Sequence, residues 1–189
     1  MATRYAALLR GINVSGHRKV PMAELRTVLA GLGLGDVQTY LQSGNAVFSS
    51  GSDDGEDVED GEEALRVRLE RAVEKHFGFP VDCVVREGTY LRAIADACPF
   101  PAAELEGKQL HVTFFSERVG PERFAALDQA AFLPEEFRIG DRALYLYAPE
   151  GLGRSKLAEA LGRPALTKGI IGTTRNWNTV VKLVELTRD

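Results

Sequence analysis

The chain has 189 residues, of which 44% are hydrophobic and 26% are charged, and its formal net charge at pH 7 is −4. This composition is that of an ordinary globular protein with room for one large domain or two small ones. It excludes a membrane-spanning helix, which needs about 20 consecutive apolar residues, and the N-terminal "MATRYAALLRG" lacks a signal-peptide pattern. We therefore expect a cytoplasmic protein with no membrane partner.

The first half reads, in chain order, as strand, helix, strand, strand, helix and strand. A short apolar strand at residues 5–9 precedes a helix that begins at Pro21 and keeps helical spacing of apolar residues. An alternating strand at 37–41 and "NAVFSS" flank the turn candidate Ser43-Gly44. A helix through 65–77 and the strand "PVDCVVR" follow. This βαββαβ order predicts a ferredoxin-like unit.

The same succession starts again at Leu110 with the strand "LHVTFF", followed by a helix that begins at Pro121. The strands "EEFRI" and "ALYLYA" flank Gly140-Asp141, and another helix starts near Ser155. We predict an α+β fold of two related ferredoxin-like halves with antiparallel sheets. Residues 1–87 form the first half, 88–108 a connecting helix (near 89–98) and loop, and 109–189 a variant half that ends in helix, not strand.

Charge is distributed unevenly along this chain. Residues 51–63, "GSDDGEDVEDGEE", hold eight acids and no cation, whereas 151–182 hold six cations and one acid. An acidic run with glycines is typical of a flexible, solvated loop. The two cysteines, Cys83 and Cys98, and the three scattered histidines do not have metal-ligand spacing. We interpret both cysteines as reduced core residues and predict no metal site.

Comparison of the two halves exposes an insertion between the first strand and the helix that follows it. The second half uses five residues there, 116–120, and the first uses eleven, "RGINVSGHRKV". Long polar loops that a scaffold does not need often carry function. This comparison singles out Arg10, Asn13, His17, Arg18 and Lys19.

Three loops share glycine, asparagine, hydroxyl and cationic residues: "RGINVSGHRK", "QSGN" and the pair "GLGRSK" with "TTRNWNT". Glycine lets backbone N–H groups approach a ligand, helix N-termini attract anions, and the arginine fork matches phosphate or carboxylate. We predict "TTRNWNTVVKL" to be the start of a helix, and we expect the loops to meet around one cleft that binds an anion. The candidate ligand-binding residues are Arg10, Asn13, His17, Lys19, Gln42, Ser43, Asn45, Lys156, Arg175, Asn176, Trp177 and Asn178.

Structural roles for the same residues stay open. Ser155 can be a helix N-cap, Ser43 and Asn45 can be turn formers, and Asn13 can serve a hydrogen bond within its loop. Trp177 offers a flat face for a base or sugar ring, but with Val180, Val181 and Val184 it also forms a helical core stripe.

Three stretches, "LLRGINVSGHRKVPMAELR", "VQTYLQSGNAVF" and "GRSKL…TTRNWNTVVKL", resemble the signatures of an uncharacterised, mainly bacterial family, domain of unknown function (DUF) 1697. The resemblance implies two α+β subdomains of ferredoxin-like character and no known activity. One departure is Ser15, where the family commonly has glycine. The motif positions are Arg10, Gly11, Ile12, Asn13, Gln42, Ser43, Gly44, Asn45, Arg175, Asn176, Trp177 and Asn178.

Three functions remain at the level of sequence. We favour a binding protein for a small phosphorylated or nucleotide-like anion over one for a nucleic acid, because the pI is near 5.5 and an RNA-recognition signature is absent. An enzyme that transfers or hydrolyses a phosphoryl or acyl group is the first alternative, with His17 as a candidate acid or base. The second is an interaction or structural module in which the motifs hold the two halves together.

Overall fold

A computed structural model describes residues 2–51 and 61–188. Residues 52–60, most of the predicted acidic loop, lie outside the described residues. The chain divides into two compact units, which we call the first unit (Met1–Leu91 with Leu183–Asp189) and the second unit (Arg92–Lys182). In the described part, no helix is long and apolar enough to cross a membrane.

The first unit is a four-stranded antiparallel sheet with two helices. Its strand order is β2-β3-β1-β4, so the first strand lies inside the sheet between the third and the fourth. The helix α3 starts in this unit and ends in the second one. The elements are β1 (Thr3–Leu9), α1 (Met22–Ala30), β2 (Gly35–Tyr40), β3 (Asn45–Ser50), α2 (Glu62–Phe77), β4 (Cys83–Glu87) and α3 (Gly88–Asp96).

The core of the first unit forms because both helices turn their apolar stripes toward the same sheet face. Leu25 and Leu29 of α1 are buried, as are Leu65, Leu69 and Val73 of α2 at the predicted four-residue spacing. They pack against Tyr5, Ala7, Leu9, Ala46, Phe48, Cys83 and Val85 of the sheet.

The second unit has a sheet of the corresponding order, β6-β7-β5-β8, again antiparallel throughout. The fold is therefore α+β with two four-stranded antiparallel sheets, each accompanied by helices. The elements are β5 (Leu110–Phe115), β6 (Glu136–Gly140), β7 (Ala143–Tyr147), α4 (Lys156–Leu161), α5 (Pro164–Thr167), β8 (Gly172–Asn176) and α6 (Trp177–Leu186), whose residues from Leu183 onward belong to the first unit. The 3₁₀ turns cover Ala102–Glu104, Gly107–Gln109, Pro121–Phe124, Gln129–Phe132 and Leu152–Arg154.

Two predictions for the second unit are wrong. The helix predicted at Pro121 is a pair of 3₁₀ turns, because the Asp128 carboxylate accepts a hydrogen bond from the Ala130 N–H and starts a new turn there. The stretch from Thr173 that is predicted to start the last helix is strand β8 as far as Asn176, and it pairs with β5 before α6 begins. The β-branched residues Thr173 and Thr174 favour a strand. Because β8 is only five residues long, its sequence does not show a clear alternating pattern.

The two sheets also share details of backbone hydrogen bonding. At the end of β1 the Leu9 N–H donates to Gly44 O at 2.8 Å, and at the end of β5 the Phe115 N–H donates to Arg142 O at 2.8 Å. The next residues, Arg10 and Ser116, donate to carbonyls just before β4 and β8. The two connections therefore leave their sheets in the same way.

Candidate functional site

The connection from β1 to α1 has an unusual backbone. Five residues of the segment 10–19 have φ between +48° and +76°, and three of them are not glycine. A left-handed backbone is typical of tight turns and of places where the backbone approaches a ligand closely. The five residues are Gly11, Asn13, Ser15, Gly16 and Arg18.

Asn13 holds this loop in shape through its side chain. Its Nδ2 donates to Val20 O at 2.9 Å and to Gln42 O at 2.7 Å, while its Oδ1 accepts from the Val20 N–H at 2.8 Å. The amide is therefore used inside the protein, and its bond to Gln42 spans 29 residues of sequence. Asn13 positions the loop against the 42–45 turn, the structural role left open for it.

The 42–45 turn packs directly on the same loop. Gly44 has φ +93°, and a Cβ there would lie 2.7 Å from Ile12 Cδ1 and 2.9 Å from Leu9 Cβ. Asn45 is fully buried, and its Nδ2 donates to Tyr40 O at 2.7 Å and to Ser43 Oγ at 3.2 Å. The structure thus brings two of the predicted segments together, with Asn45 as an internal turn residue.

The cations of this loop point outward. Arg10, His17, Arg18 and Lys19 are exposed, as are Gln42 and Ser43 of the turn. Within residues 2–51 and 61–188, no ion pair joins Arg10, Arg18 or Lys19 to a carboxylate. We call residues 10–19 and 42–45 together the two-loop surface.

The "TTRNWNT" stretch of the second unit is not the helix start that the sequence suggested. Thr173, Thr174, Arg175 and Asn176 lie in β8, and α6 begins at Trp177. Asn176 Oδ1 accepts the Thr179 N–H at 3.0 Å, which makes Asn176 the N-cap of α6. Trp177 is half-buried.

Arg175 is buried in this strand, with 8% of its surface exposed. Its Nη1 donates to Thr173 Oγ1 at 2.6 Å and to Thr174 O at 3.0 Å, and burial lowers the pKa of its guanidinium to about 10. Both of these bonds stay within its own strand.

Arg86 occupies the matching position in the first unit, and sequence reasoning missed it. It is the fourth residue of β4, as Arg175 is of β8, and each strand runs straight into a helix. Arg86 is 4% exposed, its Nη1 donates to Val85 O at 2.7 Å and lies 3.3 Å from Glu62 Oε2, and its guanidinium lies over the Tyr90 ring. The shared signal is an arginine at the same place in "CVVRE" and "GTTRN".

The remaining predicted positions of the second unit are exposed. Lys156 is the first residue of α4, where Ser155 Oγ accepts the Ala158 N–H at 2.9 Å and confirms the predicted cap. Asn178 lies in the first turn of α6, with its side chain against Gly107. Lys156 and Asn178 thus stand on two different helices.

In the described part of the chain, no group of three or more His, Cys, Asp or Glu side chains is placed to hold a metal. Cys83 is buried and Cys98 half-buried, and both are free. Burial is the main cause that raises the pKa of each thiol, which disfavours the reactive thiolate.

Comparison with known proteins gives a fold relative and a family. The chain is similar to a solved structure titled as that of conserved bacterial protein SP0830 from Streptococcus pneumoniae, with a TM-score of 0.76, 25% sequence identity and 100% of both chains covered. A search of curated proteins gave no match. A family model described as protein of unknown function (DUF1697) matches residues 2–145. The chain therefore belongs to the DUF1697 family of proteins of unknown function.

Proposed function

We propose that the first unit binds a small phosphorylated or nucleotide-like anion on the two-loop surface. The observation that carries this proposal is the set of exposed cations, Arg10, Arg18 and Lys19, on a loop fixed by the Asn13 side chain. A loop that is already ordered loses little conformational entropy when a ligand binds. More of the interaction energy between its cations and the ligand therefore contributes to affinity.

Chemistry supports an anion as the ligand. Arginine offers a planar fork of donors that fits two oxygens of a phosphate, and lysine adds a point charge. His17 is exposed beside Arg18 and can add a further ring N–H donor. Gln42 and Ser43, exposed on the adjoining turn, supply neutral hydrogen-bonding groups of the kind that bind sugar or base edges.

The two halves support a further part of the proposal, that each is a ferredoxin-like unit and that the pair arose by duplication. Both sheets have the third strand beside the first and the fourth on its other side. A common origin explains why the same backbone hydrogen bonds follow β1 and β5. It also explains why Arg86 and Arg175 occupy matching strand positions.

A structural role is the second candidate, and the buried Arg175 favours it for "TTRNWNT". An arginine whose donors serve its own strand and a cap residue that starts α6 both act on the fold. We keep Lys156, Trp177 and Asn178 as candidate ligand contacts of the second unit, because Lys156 and Asn178 are exposed and Trp177 is half-buried.

A thermal-shift screen of the full chain against phosphosugars, nucleotides, coenzyme A derivatives and short RNAs tests the proposal. A ligand at 100 times its Kd stabilises the native state by about 2.7 kcal/mol. We expect Arg10→Ala and Lys19→Ala to lose this stabilisation, and added salt to weaken it by screening. Lys168→Ala is the matched control, since Lys168 is an exposed lysine of the second unit. Equal stabilisation of all three variants contradicts the proposal.

A further inference from the structure

The two-loop surface and the adjoining residue Leu41 expose apolar side chains as well as cations. Val14 is 60% exposed and Leu41 is 52% exposed, and they are two of the five large hydrophobic residues exposed in the described part of the chain. Each adjoins one end of the hydrogen bond from Asn13 Nδ2 to Gln42 O, so the same contact holds both in place. A single exposed apolar residue is ordinary, whereas two that flank the same contact between loops are less so, and we call these two side chains the apolar patch.

The backbone at these positions favours a functional explanation. Leu41 itself has φ +60°, and Val14 lies between Asn13 at +56° and Ser15 at +51°. A leucine in the left-handed region is uncommon and strained, because its Cβ crowds the backbone. Asparagine or glycine would fit this position with less strain, and neither would present an apolar side chain to solvent.

We propose, on the basis of the function proposed above, that the ligand of the two-loop surface is amphiphilic: a phosphate monoester that carries an alkyl or acyl chain. The phosphate contacts Arg10, Arg18 and Lys19, and the chain lies against Val14 and Leu41. Charge complementarity selects the anionic end, and the two apolar side chains give the other end a surface that excludes water on one side. A purely polar phosphosugar would leave Val14 and Leu41 in solvent.

A series of n-alkyl phosphates, from ethyl to octyl, each below its critical micelle concentration, tests this inference by calorimetric titration of the full chain. We expect the affinity to rise about twofold for each added methylene, half of the free energy of a fully buried CH₂, because the patch covers one side of the chain. The increase should stop once the chain extends past the patch.

Two variants locate the effect. Val14→Thr keeps the shape of the side chain, and Leu41→Asn introduces a residue that tolerates a left-handed backbone. Both variant proteins should therefore fold. The double variant should bind octyl phosphate no more tightly than it binds ethyl phosphate. Leu152→Asn, a change at an exposed leucine of the second unit, should retain that dependence.

The outcomes separate this inference from the proposed function. Binding of all the phosphates with one affinity overturns the amphiphilic ligand and leaves the anion site in place. Binding of none of them, together with no response in the thermal-shift screen, overturns both. A chain-length dependence that survives the double variant also overturns the inference, because the methylenes then contact another surface.

Discussion

The connections that leave β1 and β5 begin alike and then differ, and this difference sets the two units apart. Leu9 and Phe115 make equivalent hydrogen bonds to the hairpin turn of their own sheet, and Arg10 and Ser116 make the next equivalent pair. Between β1 and α1 the first unit uses twelve residues, 10–21, whereas between β5 and its 3₁₀ turn the second unit uses five, 116–120. The second unit shows that a sheet of this strand order forms with a short connection. The extra residues in the first unit are therefore not needed for the fold, and we propose that they serve binding.

The hairpin turns show the same contrast. Gly44 in the first unit lies against Ile12, a residue of the long connection, whereas Gly140 in the second lies against Tyr145 of its own hairpin. The first turn is therefore fastened to the loop, and the second closes on itself. In the first unit, the longer connection is therefore accompanied by a contact between that connection and the neighbouring hairpin turn.

The largest expected effect comes from separating the first turn from the loop. Gly44→Ala should cost about 3 kcal/mol of unfolding free energy, because its Cβ meets Leu9 Cβ and Ile12 Cδ1 on a left-handed backbone. Gly33→Ala is the control for backbone strain alone, since Gly33 has φ +80° and a Cβ added there would meet nothing within 4 Å; we expect about 1 kcal/mol. Urea unfolding measures both, and equal losses would contradict the packing argument.

A second test compares two arginines that the sequence placed in one site. Arg175→Ala should cost about 2 kcal/mol, because it leaves Thr173 Oγ1 and Thr174 O without this donor and opens a gap in the sheet. Arg10→Ala should stay within about 0.5 kcal/mol, as is usual for an exposed side chain. Thermal unfolding of the ligand-free proteins measures both changes. If the two variants lose comparable stability, the structural role of Arg175 and the exposed, ligand-binding role of Arg10 are contradicted.

A third test concerns the residue that fixes the long connection. Asn13→Gly should cost about 1.5 kcal/mol, because it removes three side-chain hydrogen bonds and keeps a residue that tolerates φ +56°. Ligand stabilisation should fall with it, although the Asn13 amide contacts only the protein. Asn13→Ala adds backbone strain and should be less stable than Asn13→Gly; the reverse order in urea would show that the left-handed backbone does not matter.

The smallest effect is a dependence on pH in the second unit. His111 in β5 is 6% exposed, its Nδ1 has no hydrogen-bond partner, and burial lowers its pKa from 6.5. The unfolded chain therefore binds a proton at a higher pH than the folded one, so stability should be full above pH 6.5 and fall as the pH drops below it. A single histidine contributes at most about 1.4 kcal/mol per pH unit. His111→Leu should flatten the decline of the unfolding free energy below pH 6.5, measured by urea unfolding at a series of pH values.

Some features of the fold and the site could be predicted from local pattern alone. The four-residue spacing of Leu65, Leu69 and Val73 specified α2, because helical periodicity is visible within one segment. Extra length in the loop at 10–20 was visible by counting, and Ser155 as a cap followed from its position before an apolar helix.

Other features needed partners that lie far away in the chain. The helix predicted at Thr173 is a strand because β5, about sixty residues earlier, supplies its hydrogen bonds. A polar five-residue stretch carries too little periodicity to reveal this pairing, and the burial of Arg175 within β8 is equally invisible in the sequence. For Asn13 the sequence offered a loop hydrogen bond or a ligand contact, and its bond to Gln42 selected the first.

By itself, the sequence determined the order of most strands and helices, the α+β class and the identity of the loops that contain cations and amides, because each of these follows from side-chain spacing within a short segment. Only the tertiary structure decided which of those polar groups face solvent and which are consumed inside the protein. That outcome depends on which distant segment strand pairing and turn packing bring alongside, and a buried donor takes whatever acceptor lies there.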